Sequence, residues 1–294
     1  MSGRRARAYA ALAVMVTIWS YNWIVVRIAT QDATPFALTA LRTIVATCVL
    51  FAILIASRRS LRPPPLGPTV LMGVVNTAAF LLFQTLSVAS GGAGKAAVLY
   101  YTWPFMVALL AAWLLKERLQ ARTVAGLGIA AVGLAFVVLP LDVTRLAVVF
   151  YGLLTALSWS GGAVIAKRLR ASGEVDLLAL TAWQALFGPV PLVIAALLVP
   201  GQHVAFTPAF VASVLYLGAF GTGVAMILWL FALQRLTAAA AALPTLVVPV
   251  ASVALAAWQL HERLTPSELT GIGLIVGALA LDTIRLPSAR AEPR

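Results

Sequence analysis

Residues 99–119 read LYYTWPFMVALLAAWLLKERL, an apolar run that contains a proline and ends in charged residues. Residues 244–264 repeat the pattern as PTLVVPVASVALAAWQLHERL. A shift of 145 positions aligns three marked pairs: Pro104 with Pro249, Trp113 with Trp258, and Glu117 with Glu262. The chain is therefore predicted to contain two copies of one unit, and the number of helices in each unit sets the architecture.

The composition indicates a membrane protein, because 62% of the 294 residues are hydrophobic and only 10% are charged. A helix that crosses a bilayer needs about 20 apolar residues, and the chain offers ten such runs separated by short loops. The first run is longer than the apolar region of a signal peptide, which has about 7–15 residues, so it is predicted to be retained. The predicted spans are 8–29, 36–57, 68–88, 94–115, 122–139, 147–168, 176–199, 208–232, 238–259 and 267–285.

The net charge of +12 has two possible explanations: nucleic-acid binding, or an excess of lysine and arginine on cytoplasmic loops. If the spans alternate in direction, 16 of the 21 lysine and arginine residues fall on the side of the N-terminus. The second explanation is favoured, so both termini are predicted to be cytoplasmic and no nucleic-acid partner is expected.

Five predicted spans in each half give the fold class: an all-α membrane protein of ten transmembrane helices in two inverted five-helix repeats. An odd number of spans makes the second half enter the membrane from the opposite side. The first repeat covers 8–139, the second covers 147–285, and 286–294 form a cytoplasmic tail. Inverted repeats place a solute site near the middle of the membrane, where the halves meet, so the repeat predicts a transporter.

No enzyme is predicted. The acidic and histidine residues fall at predicted helix ends or in loops, which leaves no catalytic group, no metal ligands and no cofactor site within the membrane. A proton-coupled carrier usually needs an ionisable group at depth. Facilitated diffusion is therefore favoured over antiport.

Aromatic and amide side chains are what the predicted helices place at depth. The predicted substrate-binding residues are Trp19, Asn22, Asn76, Gln84, Tyr100, Trp103, Trp159, Trp183 and Gln184. Their rings would contact an aromatic or charged group, and their amides the polar ends of an amino-acid-like solute. Two alternatives remain open: Trp and Tyr also anchor helices at membrane interfaces, and amides also join neighbouring helices.

Two cations and two prolines complete the predicted site. Lys95 and Arg42 could hold a substrate carboxylate, or their side chains could reach the membrane surface. Pro104 and Pro249 each remove a helical hydrogen bond at matching positions, so they are predicted gating hinges, with a static kink as the alternative. The motif GLIVG, residues 273–277, is assigned to close packing within the bundle, and the protein is expected to be a monomer.

The segment WSYNWIVVRIA, residues 19–29, and the run 99–138 resemble the repeat of the drug/metabolite transporter superfamily, EamA type. That repeat begins with Trp-small-x-Asn, has a proline within its fourth helix, closes that helix with Glu and carries glycines in its fifth. The resemblance covers almost the whole chain. The second half departs from it, since residues 161–162 are Gly-Gly where residues 21–22 are Tyr-Asn, so any site is expected to be asymmetric.

The aromatic-rich fourth helix is most similar to the YddG-type exporters of aromatic and other neutral amino acids, which are ten-helix proteins of the bacterial inner membrane. The resemblance implies export of amino acids such as phenylalanine, methionine or threonine by alternating access across that membrane. Export of drugs or hydrophobic cations, or of another small metabolite, is the alternative. A membrane enzyme or a scaffold is a remote one.

Overall fold

The computed structural model describes residues 3–116, 119–138, 143–173, 175–236 and 238–283. Glu117 and the predicted tail 286–294 lie outside these residues. Within the described ranges the structure is helical, with no strand and one isolated antiparallel bridge between Ala33 and Val204. The all-α prediction is confirmed for this part of the chain.

Thirteen helices follow one another along the described residues. They are α1 (Gly3–Ala29), α2 (Pro35–Ala56), α3 (Leu66–Gly91), α4 (Ala93–Tyr100), α5 (Trp103–Leu115), α6 (Ala121–Val138), α7 (Val143–Ala171), α8 (Leu177–Phe187), α9 (Pro189–Leu198), α10 (Pro208–Leu233), α11 (Ala238–Thr245), α12 (Val247–Gln259) and α13 (Pro266–Thr283). Two of them contain a π-helical segment, Gly73–Ala79 in α3 and Tyr216–Val224 in α10. Prolines begin several helices because a proline in the first turn needs no hydrogen bond there.

Seven helical stretches are long and apolar enough to cross a membrane: Arg5–Ala29, Pro35–Ala56, Leu66–Gly91, Ala93–Leu115, Leu146–Ala171, Leu177–Leu198 and Pro208–Leu233. Three further apolar helices are shorter: Ala121–Val137, Val247–Gln259 and Pro266–Leu281. Each predicted span overlaps one of these stretches. The agreement arises because the prediction rests on local features, an unbroken apolar run and the turn that follows it.

The outside of the bundle is strongly apolar. Trp113 and Trp258 expose 69% and 75% of their surface, and Leu197 and Leu198 expose 80% and 76%. Water would disfavour apolar exposure on this scale, whereas lipid tails accept it. The chain is therefore a membrane protein.

Helices α6 and α13 pack together through glycine. A Cβ atom added to Gly133 would lie 2.7 Å from the carbonyl oxygen of Gly271, so the two backbones approach too closely for a side chain. A Cβ atom on Gly273 or Gly277 would meet nothing within 4 Å. The assignment of the two motif glycines to packing within the bundle is wrong, because Gly271 makes the close approach whereas Gly273 and Gly277 are exposed.

Polar contacts between connections define the two ends of the bundle. At one end, named here the Asp176 face, Asp176 caps α8 and binds Arg59 at 3.0 Å. At the other end, named the Glu262 face, Glu262 lies against the start of α4. Thr207 also donates to Asp32 at 2.7 Å on the Glu262 face, which joins the connection after α1 to the one before α10.

Candidate functional site

A cavity of about 690 Å³ runs from the middle of the bundle toward the Asp176 face. Lys167 and Arg170, near the end of α7, line its mouth. Deeper in the bundle it adjoins a chamber of about 70 Å³. The two spaces share several lining residues, among them Trp19, Tyr100 and Trp159. A solute entering from the Asp176 face could therefore reach the middle of the bundle.

The chamber holds a buried cation. Arg42 is 1% exposed and lines the chamber from α2. Its Nη1 donates to Oε1 of Gln84 at 3.0 Å, while its Nε has no hydrogen-bond partner. A guanidinium in the membrane interior is costly unless other groups compensate it. Arg42 therefore marks a place where an anionic group would be stabilised.

Two amide oxygens beside the same chamber also lack partners. Oδ1 of Asn22 and Oε1 of Gln184 are buried and accept no hydrogen bond. Buried polar atoms are nearly always paired, so each exception needs an explanation. Because both residues line the chamber, a donor on a bound solute, or water, would satisfy these oxygens.

Aromatic rings form one wall of the cavity, with Trp159 at its centre. The ring of Trp159 lies 5.1 Å from Phe80, 6.2 Å from Tyr100, 6.4 Å from Trp19 and 6.5 Å from Trp103, measured between centroids. Three of these pairs are edge-to-face, the arrangement that the ring quadrupoles favour. The wall offers a rigid apolar surface to a solute.

The structure brings most of the predicted binding residues together. Seven of them line the chamber: Trp19, Asn22, Asn76, Gln84, Tyr100, Trp159 and Gln184. Trp103 lines the larger cavity. Trp183 lies elsewhere, with its ring against Phe51 at 5.5 Å and Phe187 at 6.1 Å. Its inclusion in the site is corrected, because it packs against α2 and its own helix.

The two predicted cations have different positions. Arg42 lines the chamber, whereas Lys95 lies at the start of α4 and binds Oε1 of Glu268 at 3.1 Å. Lys95 is absent from the residues lining the cavity and the chamber. The expectation that Lys95 faces the substrate is therefore corrected, and the ion pair with a carboxylate from α13 is the reason.

Several lining residues were not among the predicted ones. They include Tyr101, Thr181, Gly221, Thr222 and Met226. Gly221 and Thr222 lie in the π-helical segment of α10, and Asn76 lies in that of α3. Such segments are frequent at functional sites. Sequence periodicity assumes an α-helix and so could not place them, although the glycines clustered at 218–223 mark the segment.

Both predicted hinge prolines stand just after a break in a helix. Pro104 lies in the first turn of α5, and Pro249 lies in the first turn of α12. At the first break, Thr102 donates its hydroxyl to the carbonyl oxygen of Leu99 at 2.7 Å, and Ser160 donates to that of Trp103 at 3.0 Å. The expected kinks within continuous helices are therefore breaks between two helices.

At the Glu262 face, a polar contact joins the start of α4 to the connection that follows α12. The two carboxylate oxygens of Glu262 accept hydrogen bonds from the backbone N–H groups of Ala93 at 2.7 Å and Gly94 at 3.1 Å. Gly92 has φ of 98°, and a Cβ atom there would lie 2.8 Å from the Glu262 carboxylate. Together with the ion pair of Lys95 and Glu268, this contact ties α4 to the connection after α12 and to the first turn of α13.

Nothing in the described part of the chain resembles a metal centre: it contains no cluster of three or more His, Cys, Asp or Glu side chains placed to hold an ion.

The sequence profile of the EamA-like transporter family matches residues 6–139 and again residues 146–283. The chain belongs to the EamA-like transporter family. The resemblance to the drug/metabolite transporter superfamily is thereby confirmed, and the protein is a transporter by family. A solved protein structure shares the fold with a TM-score of 0.67 at 22% identity, covering 95% of this chain and 96% of that one.

Curated relatives cover nearly the full length of this transporter. "Uncharacterized transporter YoaV" of Bacillus subtilis is 28% identical over 90% of both chains. Two proteins named "Probable amino-acid metabolite efflux pump" are also 28% identical: that of Salmonella typhimurium over 95% of both chains, and that of Escherichia coli over 93% of both.

Proposed function

We propose that this EamA-family transporter exports amino acids or closely related metabolites by alternating access, as a facilitator. One observation carries the proposal: a chamber at mid-depth combines a buried cation, unpaired amide oxygens and an aromatic wall, and it adjoins a cavity that runs toward the Asp176 face. The names of the two efflux-pump relatives support the same solute class.

The proposed architecture is ten membrane spans in two inverted repeats, 8–139 and 147–285. The seven long and three shorter apolar helices, and the double match of the family profile, support it. The excess of lysine and arginine supports a cytoplasmic Asp176 face, cytoplasmic termini and a cytoplasmic tail at 286–294. The cavity would then open to the cytoplasm of a bacterium, with the protein in its inner membrane. It lies within one chain, which supports function as a monomer.

Each part of the site has a proposed role. Arg42 holds the carboxylate of the solute, and Gln84 positions the guanidinium through its hydrogen bond. The aromatic wall around Trp159 contacts the solute's side chain. The remaining predicted residues, Asn22, Asn76, Trp103 and Gln184 among them, bind its other groups. Aromatic amino acids of the YddG type are the finer proposal, and the number of rings supports it.

Movement is proposed at the helix breaks. Pro104 and Pro249 leave the breaks at the ends of α4 and α11 without a continuous hydrogen-bond ladder. Helices α5 and α12 could rotate there while α4 stays tied to the Glu262 face. Export of hydrophobic cations, the alternative, has less support, because no described residue lining the cavity is acidic.

Uptake into proteoliposomes tests the proposal. The purified protein is reconstituted, and uptake of labelled phenylalanine, methionine and threonine is measured with and without an imposed proton gradient. Saturable uptake above that of empty liposomes, unchanged by the gradient, is expected. Dependence on the gradient would contradict the facilitator, and no uptake of any of the three would contradict the amino-acid class.

A further inference from the structure

Among the described residues that line the cavity and its chamber, every charged group is a cation. Arg42 in the chamber and Lys167 and Arg170 at the mouth are the charged groups among the described lining residues, and none of those residues is acidic. Deep in the membrane the low dielectric constant strengthens the interaction between any two charges. The sign of the solute's net charge therefore matters more here than it would in water.

Arg42 has no described counter-charge. Its hydrogen-bond acceptor, Gln84, is a neutral amide, and its Nε is unpaired. The acids whose side chains the structure describes are occupied near the two faces: Asp32 with Thr207, Asp176 with Arg59, Glu262 with Ala93 and Gly94, and Glu268 with Lys95. Within the part of the chain that the structure describes, Arg42 is thus left to be paired by whatever enters the chamber.

A zwitterion and an anion differ in the net charge that they leave in the chamber after pairing with Arg42. A free amino acid pairs its carboxylate with Arg42 but adds an ammonium, so the occupied chamber keeps a net positive charge. A carboxylate without an ammonium leaves the occupied chamber neutral. The unpaired oxygens of Asn22 and Gln184 need hydrogen-bond donors, and an uncharged amide N–H can satisfy one of them without adding charge.

We propose that the preferred solute is an amino-acid derivative that keeps its carboxylate and lacks its free ammonium, such as an N-acyl amino acid, and that it crosses as an anion paired with Arg42. This inference rests on the proposed function and narrows its solute class. Arg42 is fixed to α2 and does not cross the membrane with the solute. Each transport event then moves one negative charge, and an inside-negative membrane potential drives export.

Export driven by the membrane potential suits a carrier with no acidic side chain in the described part of its membrane interior. A single charge moved through a potential of about 100 mV gains about 2.3 kcal/mol. That energy corresponds to about a fiftyfold ratio of solute concentrations at equilibrium. A facilitator for an anion could therefore export against a gradient without coupling to protons.

The test compares three matched solutes in proteoliposomes at neutral pH: N-acetylphenylalanine as the anion, phenylalanine as the zwitterion and phenylalaninamide as the cation. A potassium gradient with valinomycin sets the membrane potential, and empty liposomes correct for leakage. We expect the highest kcat/KM for N-acetylphenylalanine. Its internal accumulation should rise about fiftyfold at about 100 mV, inside positive, relative to no potential. Accumulation of phenylalanine should not change.

Three variants test whether Arg42 is responsible for the transport of N-acetylphenylalanine. Arg42→Gln should lower the flux of N-acetylphenylalanine at least tenfold. Gln84→Glu is the second variant, because it places a carboxylate beside Nη1 of Arg42 with almost no change in size and should have the same effect. Arg235→Gln is the control, since Arg235 lies over the ring of Phe231 outside the cavity lining, and it should leave flux unchanged.

The outcomes separate this inference from the proposed function. Transport of phenylalanine without N-acetylphenylalanine would overturn the inference and leave the amino-acid proposal standing. Accumulation of N-acetylphenylalanine that ignores the potential, or full flux in both Arg42→Gln and Gln84→Glu, would also overturn it. Transport of none of the three solutes by folded protein would overturn both.

Discussion

The carboxylate of Glu262 accepts a 2.7 Å hydrogen bond from the backbone N–H of Ala93, across 169 positions of the chain. Ala93 is the first residue of α4, whose last residue, Tyr100, lines the chamber. One short helix therefore links the Glu262 face to the proposed binding site. A solute that displaces Tyr100 would act on the bond to Glu262 through only two turns of helix.

Replacing Glu262 should favour opening at its own face. In Glu262→Gln the charge is lost, and the amide nitrogen that replaces one carboxylate oxygen cannot accept its hydrogen bond. This should cost about 1 kcal/mol and shift the equilibrium between the closed and open face about fivefold. Leu81 lines the chamber, so a Leu81→Cys reporter in a Cys48→Ser background should react faster with an impermeant maleimide added to the Glu262 face. Asp176→Asn, which changes a similar cap on the other face, is the control and should not raise that rate. Equal labelling with and without Glu262→Gln would show that this contact does not hold the face closed.

The aromatic wall should matter for transport and little for membrane insertion. In Trp159→Ala the contacts to Trp19, Phe80, Tyr100 and Trp103 are lost, and each ring pair contributes about 0.5–1.5 kcal/mol. We expect kcat/KM for transport to fall by at least tenfold. Trp258→Ala is the matched control, because that side chain is 75% exposed on the outside of the bundle. Size-exclusion profiles in detergent check folding, and undiminished flux in a folded Trp159→Ala protein would remove the wall from the site.

Two glycines of similar sequence context should respond to alanine in opposite directions. Gly133→Ala would push a methyl group against the backbone of Gly271, at 2.7 Å, and should destabilise the protein by about 1–3 kcal/mol. Gly273→Ala meets nothing within 4 Å and should stabilise it by up to about 1 kcal/mol, through helix propensity alone. Thermal unfolding in detergent measures both. A loss of stability in Gly273→Ala accompanied by a smaller particle size would mean that a second copy covers this face, against the proposed monomer.

The contact of Asp176 with Arg59 should make stability depend on pH in the acid range. Partial burial by itself raises the pKa of the Asp176 carboxyl, but the hydrogen bond from Arg59 and those from the backbone N–H groups of Leu178 and Ala179 outweigh it, so the pKa lies below its ordinary value. A carboxyl with a lowered pKa stabilises the fold above its unfolded-state pKa of about 3.9 and loses that contribution as pH falls through the folded-state value. Both side chains are partly exposed, 46% for Arg59 and 33% for Asp176, so the contribution is about 0–1 kcal/mol.

The comparison for that prediction is the wild type against Asp176→Asn. The difference in thermal unfolding temperature should be present at pH 6 and should shrink as the pH is lowered below about 4. Asp32 also receives a side-chain hydrogen bond, from Thr207, so Asp32→Asn shows whether the effect belongs to Asp176. A difference that grows toward acid pH would contradict the assignment.

The positions of the helices could be predicted because apolar runs and the prolines and glycines that end them are local features. Which side of a helix faces the cavity could be predicted only in part. Trp183 and Gln184 were both assigned to the site, yet adjacent residues of a helix point about 100° apart. Gln184 lines the chamber, and Trp183 accordingly packs against Phe51.

The partners of charged side chains were harder still to predict from the sequence. The partner of Lys95 is Glu268, which is 173 positions away, and no local pattern connects them. From the sequence alone, the side chain of Arg42 could have reached either the membrane surface or the chamber. Its position in the chamber depends on the packing of α2 against α3 and on its hydrogen bond to Gln84. The helix breaks could be placed from Pro104 and Pro249, whereas their form depends on hydroxyl groups such as that of Thr102.

The two π-helical segments occupy matching places in the two halves of the chain. A π-turn closes its hydrogen bond one residue later than an α-turn, which is how a helix absorbs a single inserted residue. The segments begin at Gly73 and Tyr216, 143 positions apart, in the third helical stretch of each family match. The simplest history is one insertion in an ancestral gene of half this length, followed by duplication. In that history the widened turn is older than the duplication, so both halves inherited it.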